Sequence, residues 1–365
     1  MLLLGIPGPA EAATARVPHA PDARAGDALT VTLHVDADAP AGGDGSIAAP
    51  VRSIAAAQTA LRAQDGIWTR SRLGRQHREA AVNIDVRIAA GTYDRQHTRW
   101  IVTSPGNRVR FVPEKYDGAV VAATARPRFD GRGVRYAWLN IDVVDVRDEY
   151  PDVTRFDVRY LDVERYPDGL VVDGGYRVKP DGEHSVAYGD ATPATAVVTG
   201  MRFERIGTKY VPDVSESDAL HHGFGAVVLT NTRGVVISHN VFARIENVPS
   251  RGSHVHGVYA IYSKEVVVRS NAFWVSSGDS VKVRSSSSAL VVGNTFSRAG
   301  VHAWMNNWFC DAACAARIAM LPECPSTITR KDNRGDLEGY VRGTTIRRMA
   351  WLGPRHEAPA GCAGT

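Results

Sequence analysis

Two stretches in the second half of the chain carry side chains able to move protons beside a carboxylate. His256 and Tyr259 lie in HVHGVYAIY, and Asp279, Lys282 and Arg284 lie in DSVKVR. Eliminative cleavage of a uronic-acid chain needs the sugar carboxylate neutralised, a base for the proton on the adjacent carbon, and an acid for the departing oxygen. Lys282 and Arg284 suit the first task, His256 or a lysine of depressed pKa the second, and Tyr259 the third. Two insertions add titratable groups nearby. VPDVSESDALHHGFG holds Asp213, Glu216, Asp218, His221 and His222, and RIENVPSRGSHVHG holds Arg251 and His254. Arg251, His254 and Asp279 are expected to contact the substrate.

These residues become neighbours only if the chain repeats itself in space. GAVVLTNTRGVVISHNVF from Gly225, HGVYAIYSKEVVVRSNAF from His256 and DSVKVRSSSSALVVGNTF from Asp279 align without gaps. Each holds a short alternating strand, a polar turn and a β-branched strand, then Asn240, Asn271 or Asn294 two residues before Phe242, Phe273 or Phe296. YLDVERYPDG from Tyr160 and GMRFERIG from Gly200 are degenerate earlier copies. A constant core with loops of varying length is the mark of a solenoid, in which no turn buries its apolar face without the next. The aligned asparagines are expected to stack as a ladder of side-chain amides. The intervening stretches are rich in Gly, Ser, Asn and Asp and carry no helical pattern, which excludes a doubly wound α/β fold. A β-sandwich would not predict in-register identity at the Asn and Phe positions.

The alignment also assigns faces. With Val227, Val258 and Val281 inward, and Leu229, Ala260 and Val283 likewise, period-two alternation turns Val228, Tyr259 and Lys282 outward in one column and Thr230, Ile261 and Arg284 in the next. Counting on from Gly300 places Trp304 beside Lys282 and Asn306 beside Arg284, with the indole as a platform for a sugar ring. Upstream, Ser53 is the expected N-cap of a helix over about 54–63, placed where it would cover the open end of the first coil.

The DGS-x-x-x-P start at Asp44, the AGTY at Ala90 to Tyr93 and the later coils resemble the pectin-lyase-like superfamily of right-handed parallel β-helices, over roughly residues 27 to 308. The resemblance implies an all-β fold, a single-stranded right-handed parallel β-helix with an N-terminal capping helix. It identifies architecture better than activity, because the superfamily holds lyases, hydrolases, epimerases, esterases and non-enzymatic adhesins. Its lyases often use Lys or Arg with calcium held by carboxylates, which here implies Asp218 and Asp279 as calcium ligands. A polysaccharide lyase is the leading expectation. A glycoside hydrolase with paired carboxylates on the same fold and a non-catalytic carbohydrate-binding solenoid are the alternatives. Ordinary explanations stand beside these roles: Lys282 and Arg284 as solvated charges, Tyr259 as a half-buried aromatic, Trp304 as packing, His239 as a turn residue.

The remaining features set the context. A net charge of +4, from 43 basic and 39 acidic residues without a Lys/Arg block, argues against nucleic acid and suits an anionic polysaccharide or oligosaccharide. No apolar run reaches the roughly 18 residues of a membrane span. MLLLGIPGPAEAATA, within residues 1–26, has a short apolar run and an A-x-A pattern, so export to the periplasm or exterior is expected. Residues 309–365 form a distinct tail carrying Cys310, Cys314, Cys324 and Cys362, which are expected to form two disulfides of undetermined pairing. A monomer is expected.

Overall fold

Short runs that alternate apolar and polar residues, each ended by a turn, give strands that pair with the strand one coil away. In the structure, a computed structural model, the described residues are 29–63, 82–103, 108–143, 154–174, 194–211, 223–285, 287–299, 303–308, 326–335, 338–339, 346–347 and 349–352. The chain folds as a parallel β-helix. Three sheets of nine, eight and eight strands, every pairing in them parallel, run the length of the molecule. One coil shows the pattern: Gly225–Thr230 lies in the second sheet, Val236–Ser238 in the first and Val241–Ile245 in the third.

Each corner has its own device. Between the first and third sheets, Asn271 Oδ1 accepts both the backbone N–H (2.9 Å) and the amide Nδ2 (3.0 Å) of Asn240. Asn294 does the same for Asn271, and Asn333 for Asn294. The expected ladder is present and one rung longer than the aligned repeats indicated. The residue before each rung is left-handed, His239 at φ 56°, Ser270 at 53°, Gly293 at 64° and Asp332 at 55°. His239 is therefore a turn residue. Between the second and first sheets, a hydroxyl ladder runs from Thr232 through Ser263 and Ser287 to Ser326.

Inside the third sheet the rings of Phe203, Phe242, Phe273 and Phe296 stack in near-parallel planes with centroids 4.6–5.4 Å apart. The stack leaves no room at the start of the facing second-sheet strands. A Cβ on Gly257 would lie 2.6 Å from Phe273, and Ala226 and Ser280 hold the neighbouring positions. In the last coil the partner of Phe296 is Gly335, and the Trp304 indole fills the vacant layer, stacked on Phe296 at 5.0 Å and 8°.

The helix Ile54–Ala63 starts where expected, with Ser53 Oγ accepting the Ala56 N–H at 3.0 Å. It buries Ile54, Ala57 and Leu61 against the first coil. The solenoid does not end at residue 308: Thr327–Lys331, Arg334–Gly335 and Met349–Leu352 each add a parallel strand to one of the three sheets. The tail thus continues the coil in part, because the exposed edges left after Trp308 still need partners. The four cysteines and the export-like N-terminus lie outside the described residues.

Candidate functional site

The outward face of the second sheet is the surface on which the expected residues meet. Val228, Tyr259 and Lys282 occupy one column and Thr230, Ile261 and Arg284 the next, while Val227, Val258, Val281, Leu229, Ala260 and Val283 are buried beneath. Neighbouring strands are about 4.8 Å apart, so three coils set these groups within reach of a single sugar unit. Arg284 Nη1 donates to the Tyr259 hydroxyl at 3.3 Å, and Lys282 Nζ lies 5.9 Å from the centre of the Tyr259 ring. Tyr259 is 6% exposed, between the His256 ring at 5.1 Å and the Phe224 ring at 6.3 Å. Lys282 and Arg284 are half-buried.

His256 starts the strand beside Gly225, as the alignment requires, but its ring does not reach the surface. It is 1% exposed, and Nδ1–H donates to the Asp279 carbonyl at 2.7 Å. Loss of solvent, followed by the nearby Lys282 charge, pushes its pKa down to about 3. A base must touch the proton it takes, so the geometry does not fit His256 as the base: its imidazole lies between the Tyr259 ring and the Asp279 backbone. Asp279 is likewise 2% exposed, and its Oδ2 accepts the Asn306 amide at 2.7 Å. The Asp279 carboxylate and the Asn306 amide are thus engaged with each other.

The register of the last strand differs from the count made from Gly300. Lys282 pairs with Asn306 and Arg284 with Trp308, two residues further on than expected. Trp304, at 6% exposure, faces the phenylalanine stack and offers no sugar platform. The physical reason is Gly335: the apolar layer it leaves open takes the indole inward. Arg251 and His254 lie in the turn Pro249–His254 at the edge of this face, with His254 exposed. That turn is tied down by Ser277, whose hydroxyl donates to Gly252 O at 2.8 Å and accepts the Asn247 N–H at 3.0 Å. Asp213, Glu216, Asp218, His221 and His222 lie outside the described residues.

Three acids on or beside this face were not expected. Asp142 and Asp173 stand directly opposite each other on adjacent strands, in the column that continues to Thr230, Ile261 and Arg284. Asp142 accepts from Arg99 Nε at 2.7 Å. The signal was present in NIDV and VVDG, where an Asp follows an apolar-x-apolar strand, yet these coils lack the N-x-F ending that anchored the alignment. Asp168, 3% exposed, accepts the backbone N–H groups of Gly223, Phe224 and Gly225, which pins the start of the strand beside that of Tyr259. Among the described residues no group of three His, Cys, Asp or Glu side chains is placed to hold a metal ion. The described carboxylate of the expected calcium pair, Asp279, is buried against an amide, so the described residues do not fit that ion.

The chain matches no protein-family model and no curated protein. Among solved structures, an alginate lyase from Paenibacillus sp. str. FPU-7 shares 8% identity over 85% of this chain and 87% of that one, with a TM-score of 0.33. So loose a likeness decides no reaction. Among the described residues no helix is long and apolar enough to cross a membrane.

Proposed function

We propose that this protein is an exported carbohydrate-active enzyme that cleaves a uronic-acid polysaccharide by β-elimination on the outer face of the second sheet. The observation that supports it is the register that puts Tyr259 beside Lys282 and one column from Arg284. The Arg284 guanidinium neutralises the substrate carboxylate, which acidifies the carbon next to it. Lys282 removes that proton, and Tyr259, hydrogen-bonded to Arg284, protonates the departing oxygen. His256, Asp279 and Asn306 hold this group from behind, and Arg251 and His254 contact the polymer from the edge.

Asp142 and Asp173 favour a second reading. Their Cα positions pair on adjacent strands, a pitch of about 4.8 Å that is close to the roughly 5 Å between the carboxyl groups of retaining glycoside hydrolases. The test is incubation of the purified protein with anionic and neutral polysaccharides, with and without chelator, following ultraviolet absorbance and new reducing ends together. Elimination yields both signals. Reducing ends without absorbance, lost in Asp173→Asn and kept in Lys282→Ala, overturn the lyase in favour of the hydrolase. Neither signal, with binding retained, leaves a non-catalytic carbohydrate-binding solenoid.

A further inference from the structure

The outward face of the first sheet carries a second feature, on a different side of the solenoid. The strands Val82–Ile88, Arg108–Pro113 and Thr154–Arg159 pair in parallel, and their outward positions form three columns. Asn83, Arg108 and Arg155 make the first, Asp85, Arg110 and Asp157 the second, and Arg87, Val112 and Arg159 the third. The loop after Pro113 folds over them, with Arg87 Nη1 donating to the carbonyls of Glu114 (2.8 Å) and Tyr116 (3.1 Å). The result is a cavity of about 250 Å³ lined by Arg87, Arg108, Arg110, Tyr116, Arg155 and Arg159.

The carboxylates around it are fully used and too few. Asp85 takes a two-pronged contact from Arg110. Asp157 accepts from Arg155 Nε at 2.9 Å and Arg159 Nη2 at 3.4 Å. Both acids are nearly buried, at 3% and 2% exposure. The lining holds five guanidinium groups against Asp117 and Asp157, with Asp85 engaged by Arg110 and the Glu114 carboxylate of the covering loop engaged by His34, so among the described residues positive charge is in excess. Arg108 is where the deficit falls. Its Nε is buried with no acceptor in reach, a situation that costs stability unless something else supplies the acceptor. Burial, followed by the nearby Arg110 charge, lowers its pKa, as expected of a cation kept from water without a full counter-charge.

We propose that this cavity is an oxyanion-binding site, separate from the second-sheet face, that takes one sulfate, phosphate or carboxylate group between Arg108, Arg155 and Arg159. Guanidinium groups bind such oxygens through paired N–H donors, and the buried Asp157 holds Arg155 and Arg159 in place beforehand. The cavity is smaller than the roughly 300–1,000 Å³ of drug-sized sites and suits a single charged group or one acidic sugar.

The test is isothermal titration calorimetry of the full chain in low chloride, with sodium sulfate and sodium glucuronate as separate titrants. The wild type is compared with Arg108→Ala, the milder Arg108→Lys, and Arg202→Ala as a control on the third-sheet face. Binding by the wild type and the control, weakened at least tenfold in Arg108→Ala and less in Arg108→Lys, supports the site. Sulfate alone identifies a small tetrahedral anion as the ligand, and binding of both titrants a carboxylate-bearing sugar as well. Absence of binding to the wild type, or equal affinity in the folded Arg108→Lys protein and the wild type, overturns it. Polysaccharide cleavage plays no part in the readout, so the proposal stands or falls independently of the lyase reading.

Discussion

Replacing His256 by glutamine keeps an amide able to donate to the Asp279 carbonyl and removes a group that titrates. The imidazole is buried with a pKa near 3, against 6.5 for a free histidine, so the unfolded chain binds more protons throughout that interval. Stability from keeping the ring neutral is complete above pH 6.5 and drains away as the pH falls towards 3. Each pH unit in that range costs about 1.4 kcal/mol, so between pH 7 and pH 5 the wild type loses about 2 kcal/mol through this residue. His256→Gln loses none of it. Any packing penalty of the substitution is the same at both pH values and cancels in the comparison. Urea unfolding of both proteins at pH 7 and pH 5 supplies the four free energies needed. The wild type is expected to lose about 2 kcal/mol more than the variant on acidification. Equal losses, within about 0.5 kcal/mol, would refute the picture of a desolvated imidazole pinned under Tyr259.

Other outcomes follow from the packing and the face. Asn271→Ala strands the Asn240 backbone N–H and one of its two side-chain amide N–H groups in a buried corner and is expected to cost about 3 kcal/mol by urea unfolding. Gly257→Val drives a side chain into Phe273 and should cost about 1–3 kcal/mol, whereas Gly252→Ala, with its nearest neighbour 3.9 Å away, should be close to neutral. Trp304→Ala opens the end of the phenylalanine stack and should cost about 3–5 kcal/mol, while saccharide affinity measured below the melting temperature stays unchanged. In the elimination assay Lys282→Ala is expected to lose about 10²–10⁴-fold in kcat, and a near-normal rate would remove Lys282 from the chemistry.

The parallel solenoid was legible because its physics is periodic. A coil that must stack on its copy repeats the same small residue, amide or ring at the same place, and the N-x-F ending displays that repetition. Asn240, Asn271 and Asn294, the inward valines and the Tyr259–Lys282 neighbourhood could all be read from it. Where the repeat decays, so did the reading. Asp142, Asp173 and Asp168 sit in coils without the ending, and Asn333 follows a tail that broke the count. The depth of a side chain is a different kind of property. Residue type and alternation place His256 and Trp304 on a strand, but whether each reaches solvent depends on neighbours far along the chain. Asp279 offers a carbonyl to the imidazole, and Gly335 leaves a layer empty for the indole. Alternation is local and written residue by residue; the filling of space between coils is settled by chain segments that meet only once the solenoid has closed around them.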